Sequence, residues 1–297
     1  MNFGKTTKFF STLSVSLLLV ACSTGETNSE GTEDSSDFDT ASDIHVVTRE
    51  DGSGTRGSFV EIVDVMDENE GDITTPAATV QNNTSSVMQT VAGDIHSIGY
   101  ISLGSLDNSV KGLSIDGIEP TPEAVANTEY EVARNFNVVY GSELSEEAQD
   151  FYNFFLSQQA QELVSEEGYV PIDSDASEYI SQGASGNITV VGSTSVEPLM
   201  QRFAEAYMKL NPDVTIDITA PGSGAGITAA IEGSADIGMT SREIEEGESV
   251  QLEGSDAIAI DGIAIITHKD NPMNELSLEE ISSIYMGDAT TWEEVSR

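Results

Sequence analysis

The chain has 297 residues, of which 52 are Asp or Glu and only 11 are Lys or Arg, giving a formal net charge of −41 at pH 7. This balance argues against nucleic acid or an anionic membrane surface as a partner, because counterion release requires clustered basic side chains. The length allows one large domain or two ordinary ones. A hydrophobic content of 38% with 26 glycines is typical of a globular α/β protein with many tight turns.

The first 22 residues have the pattern of a bacterial lipoprotein signal peptide. Lys5 and Lys8 form a short basic region, and the apolar run over 9–20 is too short to span a bilayer comfortably. The run ends in Leu-Val-Ala-Cys, which places Cys22, the only cysteine, where a lipobox requires it. We expect export and anchoring to the extracellular face of the cell membrane through acyl chains, palmitate included, on Cys22. An ordinary signal peptide with an incidental cysteine is the alternative.

Two polar segments divide the remaining sequence. Residues 23–42 are acidic and contain one aromatic side chain, a composition typical of a flexible tether. Residues 173–187 are similar and separate two blocks that show the alternating strand and helix signals of α/β folds. Because Tyr179 and Ile180 offer apolar surface for docking, we interpret this second segment as a linker rather than as a disordered region.

Three strand-to-helix junctions share one chemistry. They are Asp-Gly-Ser-Gly-Thr at 51–55, Gly-Ser-Thr-Ser at 192–195 and Pro-Gly-Ser-Gly-Ala-Gly at 221–226. A helix N-terminus carries unpaired N–H groups and about half a positive charge, and Ser and Thr hydroxyls add further donors. Such loops suit an oxyanion without much formal charge. A single loop of this kind is usually only a turn or a cap, but three of them, with Arg49 beside the first, favour convergent anion binding.

Other site signatures are absent from the sequence. There is no Walker motif or dinucleotide fingerprint, and the three histidines lack metal-ligand spacing, so no cofactor or metal is expected. No Gly-x-Ser-x-Gly elbow or Ser/His/Asp constellation supports nucleophilic catalysis, so no catalytic residue is assigned. Trp292 and the aromatic residues within 151–155 are interpreted as packing residues.

Several motifs together resemble the PstS family, the phosphate-binding lipoproteins of bacterial ABC phosphate importers. They are Gly-Ser-Thr-Ser-Val-Glu-Pro at 192–198, Pro-Gly-Ser-Gly-Ala-Gly at 221–226, Ala-Asp-Ile-Gly-Met-Thr-Ser-Arg at 235–242, Arg-Glu-Asp-Gly-Ser-Gly-Thr-Arg at 49–56, and the segments 81–103 and 284–295. The similarity covers most of 43–172 and 187–297. It implies an α/β, two-lobed periplasmic-binding-protein fold of type II, with a hinge and with the anion in the interlobe cleft.

The order of these motifs differs from that of the family. In the family the motif at 192–198 comes first and the motif at 49–56 comes late, whereas here the order is reversed. We interpret the chain as a circular permutant whose old ends, near Ile172 and Ile188, are joined by the linker, which can extend to about 50 Å. A truncated tandem protein and two chains that exchange halves are the alternatives.

The resemblance also implies domain boundaries. Residues 1–22 are the signal peptide and lipobox, 23–42 the tether, 43–129 and 256–297 the two parts of lobe 2, and 130–255 lobe 1, which contains the linker 173–187. The chain is expected to cross between the lobes near 131–137 and 258–263.

Carried over position by position, the resemblance implies a set of phosphate ligands. They are Arg49, Ser53, Gly54, Thr55, Thr194, Ser195, the backbone of Val196, Ser223 and Ser241. Arg49 is the expected fixed charge, because a guanidinium pairs with two phosphate oxygens, and a salt bridge to Glu50 or Asp51 is the structural alternative.

Two further residues are expected behind these ligands. Asp51 is expected to orient Arg49, and Arg242 to add charge beside Ser241. Some relatives have an aspartate at the position of Ser241, where a carboxylate accepts the proton of hydrogen phosphate and repels sulfate. The group that recognises the phosphate proton in this chain is therefore left open.

These observations predict a lipid-anchored, extracytoplasmic solute-binding protein rather than an enzyme. It is expected to capture inorganic phosphate by lobe closure and to deliver it to the permease and ATPase complex of an ABC importer. The alternatives are a receptor for another tetrahedral oxyanion (sulfate, molybdate or arsenate), an extracellular phosphoester hydrolase, and a degenerate copy that acts as an adhesin or sensor.

Overall fold

Strands and helices alternate along most of the chain, as the sequence predicts. The computed structural model describes residues 38–295, so the signal peptide, Cys22 and the tether before residue 38 lie outside the described residues. The strands are β1 (His45–Arg49), β2 (Thr79–Gln81), β3 (Ser97–Ser102), β4 (Val110–Gly112), β5 (Ser114–Ile115), β6 (Ala133–Tyr140), β7 (Ser185–Gly192), β8 (Asp213–Thr219), β9 (Ile237–Thr240), β10 (Gly254–His268) and β11 (Glu275–Leu276).

The helices fill the connections between these strands. They are α1 (Gly54–Ile62), α2 (Thr84–Ala92), α3 (Pro122–Ala126), α4 (Glu146–Phe155), α5 (Gln158–Glu166), α6 (Glu197–Leu210), α7 (Ser223–Ile231), α8 (Glu246–Ser249), α9 (Leu278–Met286) and α10 (Trp292–Val295), with a 3₁₀ turn at Leu103–Ser105. Ser, Thr or Asn caps begin most of them, as at Ser145 and Ser277, whose side chains accept N–H bonds from the first turn. Within 38–295, none of these helices has the length and apolarity needed to cross a membrane.

One long strand organises the main sheet, whose strand order is β2-β1-β3-β10-β6-β9-β7-β8, with β4 also paired to β10. The first part of β10 runs antiparallel to β6, from Gly254 opposite Tyr140 to Gly262 opposite Ala133. Its second part runs antiparallel to β3. The pairs β1–β2, β1–β3, β7–β8 and β7–β9 are parallel, as expected for strands joined by helical crossovers.

The strand β10 also connects two hydrophobic cores. The first core contains Phe59 and Trp292 and receives the β10 residues 263–266, while the second core contains Phe203 and receives Ile258 and Ala259. Strand β6 also passes between the cores, because Ala133 packs against the first core and Phe136 lies in the second. Two adjacent antiparallel strands therefore carry the backbone from one core to the other.

The segment predicted to be a linker is partly docked. The Tyr179 N–H donates to Gln159 Oε1 at 2.8 Å, the Gln159 amide donates back to the Tyr179 carbonyl at 3.0 Å, and the Tyr179 hydroxyl donates to Asp150 at 2.5 Å. Ile180 is 71% exposed and does not dock. Strand β7 begins at Ser185, so the last three residues assigned to the linker belong to the sheet.

The two ends of the described chain lie side by side. The Ile44 N–H donates to the Thr290 carbonyl at 2.7 Å, and the Glu293 N–H donates to the Thr40 carbonyl at 2.7 Å. The ring of Phe38, assigned to the tether, packs 5.8 Å from the ring of Trp292. Residues 38–42 are thus part of the folded protein, which corrects the expected end of the tether by a few residues.

Candidate anion-binding site

Three helix N-termini meet at one place. Helix α1 begins after Ser53, whose hydroxyl caps it by accepting the Arg56 N–H; α6 begins after Val196; and α7 begins after Gly222. Gly222 has a φ of +129°, which only glycine adopts readily. Its N–H donates to the Gly192 carbonyl at 2.9 Å, and the Gly224 N–H donates to the Gly52 carbonyl at 3.0 Å. The three loops singled out in the sequence are therefore in direct contact.

The hydroxyl groups of these loops form a buried cluster. Thr55 Oγ1 lies 2.8 Å from Ser195 Oγ, which joins α1 to the start of α6. Ser193 Oγ donates to Ser241 Oγ at 2.9 Å, and the Ser241 N–H donates to Ser223 Oγ at 3.1 Å. All five residues are buried, with Ser195 and Ser241 having no exposed surface. The cluster supplies several hydroxyl donors in a small, desolvated space.

Gly54 lies at a very close approach within this cluster. A Cβ at Gly54 would lie 2.3 Å from Ser223 Oγ and 2.7 Å from Ser241 Oγ, closer than real atoms approach. Helix α1 carries Phe59 of the first core, whereas Ser241 follows β9, whose residue Met239 packs in the second core. The absence of a side chain at Gly54 therefore allows elements from both cores to close on the cluster.

Arg49 supplies a buried positive charge at the end of β1. Its side chain is 2% exposed, and Nη2 donates to Thr194 Oγ1 at 3.0 Å. The same guanidinium donates from Nε to Glu50 Oε2 at 2.8 Å and from Nη2 to Glu50 Oε1 at 2.9 Å. The salt bridge to Glu50, one of the two alternatives from the sequence, is therefore present, and the same guanidinium also contacts Thr194.

Tyr100 fixes the end of the strand that carries Arg49. Its hydroxyl accepts the Arg49 N–H at 3.2 Å and lies 2.8 Å from Thr48 Oγ1. Complete burial raises the pKa of Tyr100 to about 12, so the phenol stays neutral at physiological pH. The backbone of Arg49 is therefore held by an uncharged group that does not compete for an anion.

The structure corrects the roles expected for Asp51 and Arg242. The Asp51 side chain is 98% exposed and accepts from Arg56 Nη1 at 2.9 Å instead of contacting Arg49. Both terminal nitrogens of Arg242 donate to the Glu248 carboxylate, at 2.6 and 2.8 Å. This hydrogen bonding to Glu248 raises the pKa of Arg242 and commits its charge to that partner.

Three further residues belong to the candidate site. Glu50 contacts the Arg49 guanidinium, Ser193 bonds Ser241, and Ser58 Oγ donates to the Ser241 carbonyl at 3.2 Å. Ser193 lies within the Gly-Ser-Thr-Ser loop, and this position could have identified it as a residue of the site. Glu50 was considered only as a salt-bridge partner of Arg49, and no spacing or pattern singled out Ser58.

The arrangement is chemically suited to hold an oxyanion. It combines one buried guanidinium, three helix N-termini and a set of hydroxyl donors, all of which stabilise negative charge. Within 38–295 no group of three His, Asp or Glu side chains could hold a metal ion. The serine and threonine hydroxyls of the cluster bond other hydroxyls and backbone groups. His45 does not take part in these bonds and pairs with Asp94 elsewhere in the structure.

Comparison with known proteins decides the family. The phosphate-binding protein PstS 2 of Streptococcus pneumoniae serotype 4 is 47% identical over 257 residues, which are 85% of this chain and 87% of that protein. The chain belongs to the PstS family. The PstS 2 protein of Streptococcus agalactiae serotype V is 42% identical over 259 residues, 86% of this chain and 88% of the relative.

Two further comparisons concern the fold of this PstS-family chain. A family model described as a PBP superfamily domain matches residues 31–159 and 177–296. A crystal structure of a phosphate ABC transporter, phosphate-binding protein from Streptococcus pneumoniae is 46% identical, covers 86% of this chain and all of the other, and superimposes with a TM-score of 0.70. The periplasmic-binding-protein fold class expected from the motifs is confirmed, while the permuted order stays a prediction.

Proposed function

We propose that this chain is an extracytoplasmic solute-binding protein that captures inorganic phosphate for an ABC importer. The observation that carries this proposal is the buried Arg49 guanidinium, which donates to Thr194 where the N-termini of α1, α6 and α7 meet. A single buried charge with many neutral donors suits a small, multiply charged oxyanion. The role is binding without chemical conversion.

The contacts to phosphate follow from the cluster geometry. Arg49 offers its guanidinium, Thr194 and Ser195 offer hydroxyls at the start of α6, and Thr55 and Ser223 do so at the starts of α1 and α7. An anion bound there takes hydrogen bonds that the hydroxyls now make with one another, such as the 2.8 Å bond between Thr55 and Ser195. Ser53 and the backbone of Gly54 and Val196 complete the proposed ligand set, with Ser241 behind them.

We further propose that the two cores are lobes that close on the anion. The strands β6 and β10 form the natural hinge, because they are the neighbouring strands that pass from one core to the other. Direct contacts between the cores occur at the cluster itself, as in the Ser58 bond to Ser241. Closure would then depend on the occupant of the site.

The anchoring and the permuted order are proposals of the same kind. A lipid on Cys22 would hold the protein at the extracellular face of the cell membrane, beside the permease that receives phosphate. Replacing Cys22→Ser and measuring the membrane-bound share of the protein tests the anchor, because an unlipidated chain appears in the medium. The adjacent chain ends, joined by the Ile44 bond to Thr290, support a permuted order of one binding-protein copy.

Equilibrium dialysis tests the proposed function directly. The soluble protein from Ser23 onward is dialysed against labelled phosphate, with unlabelled phosphate, sulfate, molybdate and arsenate as competitors. We expect about one phosphate per chain, displaced by phosphate and arsenate but not by sulfate. Retention of label that sulfate displaces equally well would indicate a general oxyanion receptor, and no retention would refute phosphate capture.

A further inference from the structure

A second buried arginine, Arg134, lies in the ladder between β6 and β10. Its side chain is 3% exposed, and Nη2 donates to Oδ2 of Asp261, its ladder partner, at 3.1 Å. Its Nε and Nη1 atoms are buried without a hydrogen-bond partner in the described part of the chain. Burying an incompletely bonded charge is costly, so this arginine calls for an explanation beyond packing.

The Arg134–Asp261 pair lies where the backbone passes between the two cores. Asp261 Oδ1 also accepts from Ser102 Oγ at 2.9 Å, at the end of β3 in the first-core half of the sheet. The Arg134 guanidinium carbon lies 5.4 Å from the ring centre of Phe136, which belongs to the second core. A change in the angle between the cores therefore changes the surroundings of this ion pair.

The pair also lies near the anion site along the sheet, because Asn137, three residues after Arg134 on β6, pairs with Thr240, the neighbour of Ser241. Burial lowers the pKa of Arg134, the Asp261 carboxylate raises it, and the positive charge of Arg49 lowers it further. The two buried guanidinium charges therefore oppose each other, although Asp261 and Glu50 partly compensate them. A bound oxyanion offsets that repulsion, because its negative charge attracts both.

We propose that Arg134 is a second cation for the anion site, a positioning residue that stabilises bound phosphate through its electric field rather than by contact. The inference rests on the proposed phosphate binding and deepens it. The Asp261 carboxylate determines how strongly Arg134 attracts the anion, because it compensates the charge of Arg134.

Asp261 makes the effect dependent on pH. It is faced by Arg134 from β6, by Ser102 from β3, and by the buried phenols of Tyr130 and Tyr169, whose pKa values burial raises. Burial raises the pKa of Asp261 to about 6, although Arg134 and Ser102 oppose this. As the pH falls through about 6, Asp261 takes up a proton and the charge of Arg134 is no longer compensated. Phosphate binding is therefore coupled to proton uptake at Asp261.

Three variants of the soluble protein test this inference. Arg134→Gln removes the cation, Asp261→Asn removes its counter-charge, and Arg202→Gln is the control, since Arg202 lies on the exposed face of α6 and pairs with Glu167. Phosphate affinity is measured by calorimetry at low salt from pH 5 to 8, after thermal unfolding has shown that each variant is folded. We expect Arg134→Gln to bind phosphate about tenfold more weakly and Asp261→Asn about threefold more tightly at pH 7.5. The control should match the unaltered protein.

The opposite signs separate an electrostatic role from a structural one. If the ion pair only held the strands, both variants would weaken binding, and that result would overturn the inference, as would unchanged affinity in either variant. If Arg134→Gln does not fold, Asp261→Asn decides, because it must bind more tightly and must lose the added pH dependence near 6. Absence of phosphate binding in the unaltered protein would instead refute the proposed function.

Discussion

Arg49 and Glu50, neighbours at the end of β1, form a two-bond ion pair inside the candidate site. The Nε–Oε2 distance is 2.8 Å and the Nη2–Oε1 distance is 2.9 Å. The Arg49 side chain is almost wholly buried, whereas the Glu50 side chain is 21% exposed. The planar guanidinium matches a carboxylate as well as it matches a phosphate. Glu50 and a bound oxyanion therefore compete for the same group.

Neutralising Glu50 is expected to relax the choice of anion. In Glu50→Gln the guanidinium loses its resident carboxylate, and the negative charge that repels a fully ionised anion is gone. We expect sulfate affinity to rise about tenfold, because removing one charge near a partly buried site is worth about one pKa unit. Calorimetric titration with sulfate at pH 8 measures the change.

Asp51→Asn is the matched control for this experiment. It removes the neighbouring carboxylate, which points to solvent and pairs with Arg56 rather than Arg49. Sulfate affinity in this variant should stay within about twofold of the unaltered protein, since exposed charges are largely screened. Equal effects of the two substitutions would show that net charge, and not the Arg49–Glu50 pair, governs the response.

The guanidinium shape of Arg49 is expected to matter as much as its charge. Arg49→Lys keeps a cation but cannot bond Glu50 and Thr194 through one planar group. We expect phosphate affinity to fall about 100-fold, the loss typical of charge-assisted hydrogen bonds. Arg202→Lys, on an exposed arginine, should leave affinity unchanged. Retained affinity in Arg49→Lys would remove Arg49 from the proposed ligand set.

A single methyl group is expected to block closure at Gly54. In Gly54→Ala the new Cβ meets Ser223 and Ser241 at 2.3 and 2.7 Å, and Ser241 follows a strand of the other core. We expect phosphate affinity to fall at least about 100-fold while the melting temperature changes little, because alanine favours the helix that Gly54 begins. Small-angle scattering with phosphate should show no compaction.

Gly57→Ala provides the comparison within the same helix. Its Cβ would lie 3.3 Å from Cδ of Arg242, a flexible side chain that can shift. Affinity should therefore fall by no more than about threefold, since a small rotamer adjustment relieves the contact. If Gly54→Ala compacts with phosphate as the unaltered protein does, the close approach at Gly54 is not required for binding.

The Arg242–Glu248 pair is expected to contribute stability only above acidic pH. Hydrogen bonding to Arg242 lowers the pKa of Glu248 from 4.5. This contribution is therefore full above about pH 4.5 and is lost as the pH falls through the lower value in the folded protein. Glu248→Gln should cost about 0.5 kcal/mol at pH 7, after allowance for solvent screening, and less at pH 3. Urea unfolding at the two pH values measures the difference, and an equal cost at both would contradict the assignment.

Much of the site could be predicted because its chemistry is local. A glycine- and hydroxyl-rich turn between a strand and a helix marks an N-terminus that can receive an anion, and the loops at 51–55, 192–195 and 221–226 meet in the structure as expected. Arg49, four positions before Ser53, is buried beside them. Such turns can be recognised in the sequence because the local backbone geometry requires these residue types.

The rest depends on tertiary contacts that no local pattern encodes. Glu50 and Asp51 are adjacent carboxylates, and only the direction of the strand end decides that the first faces Arg49 and the second faces Arg56. The Arg134–Asp261 pair joins residues 127 positions apart in a strand ladder. The two side chains meet because the sheet register places Asp261 opposite Arg134, and the sequence alone does not reveal this register.

Calorimetric titration of the soluble protein from Ser23 onward with phosphate, followed by sulfate, tests the central claim most directly. We expect about one phosphate bound per chain at pH 7.5, with sulfate unable to compete at equal concentration. Heat of binding from neither anion in a folded protein would contradict the claim that Arg49 and the three helix N-termini form a phosphate site.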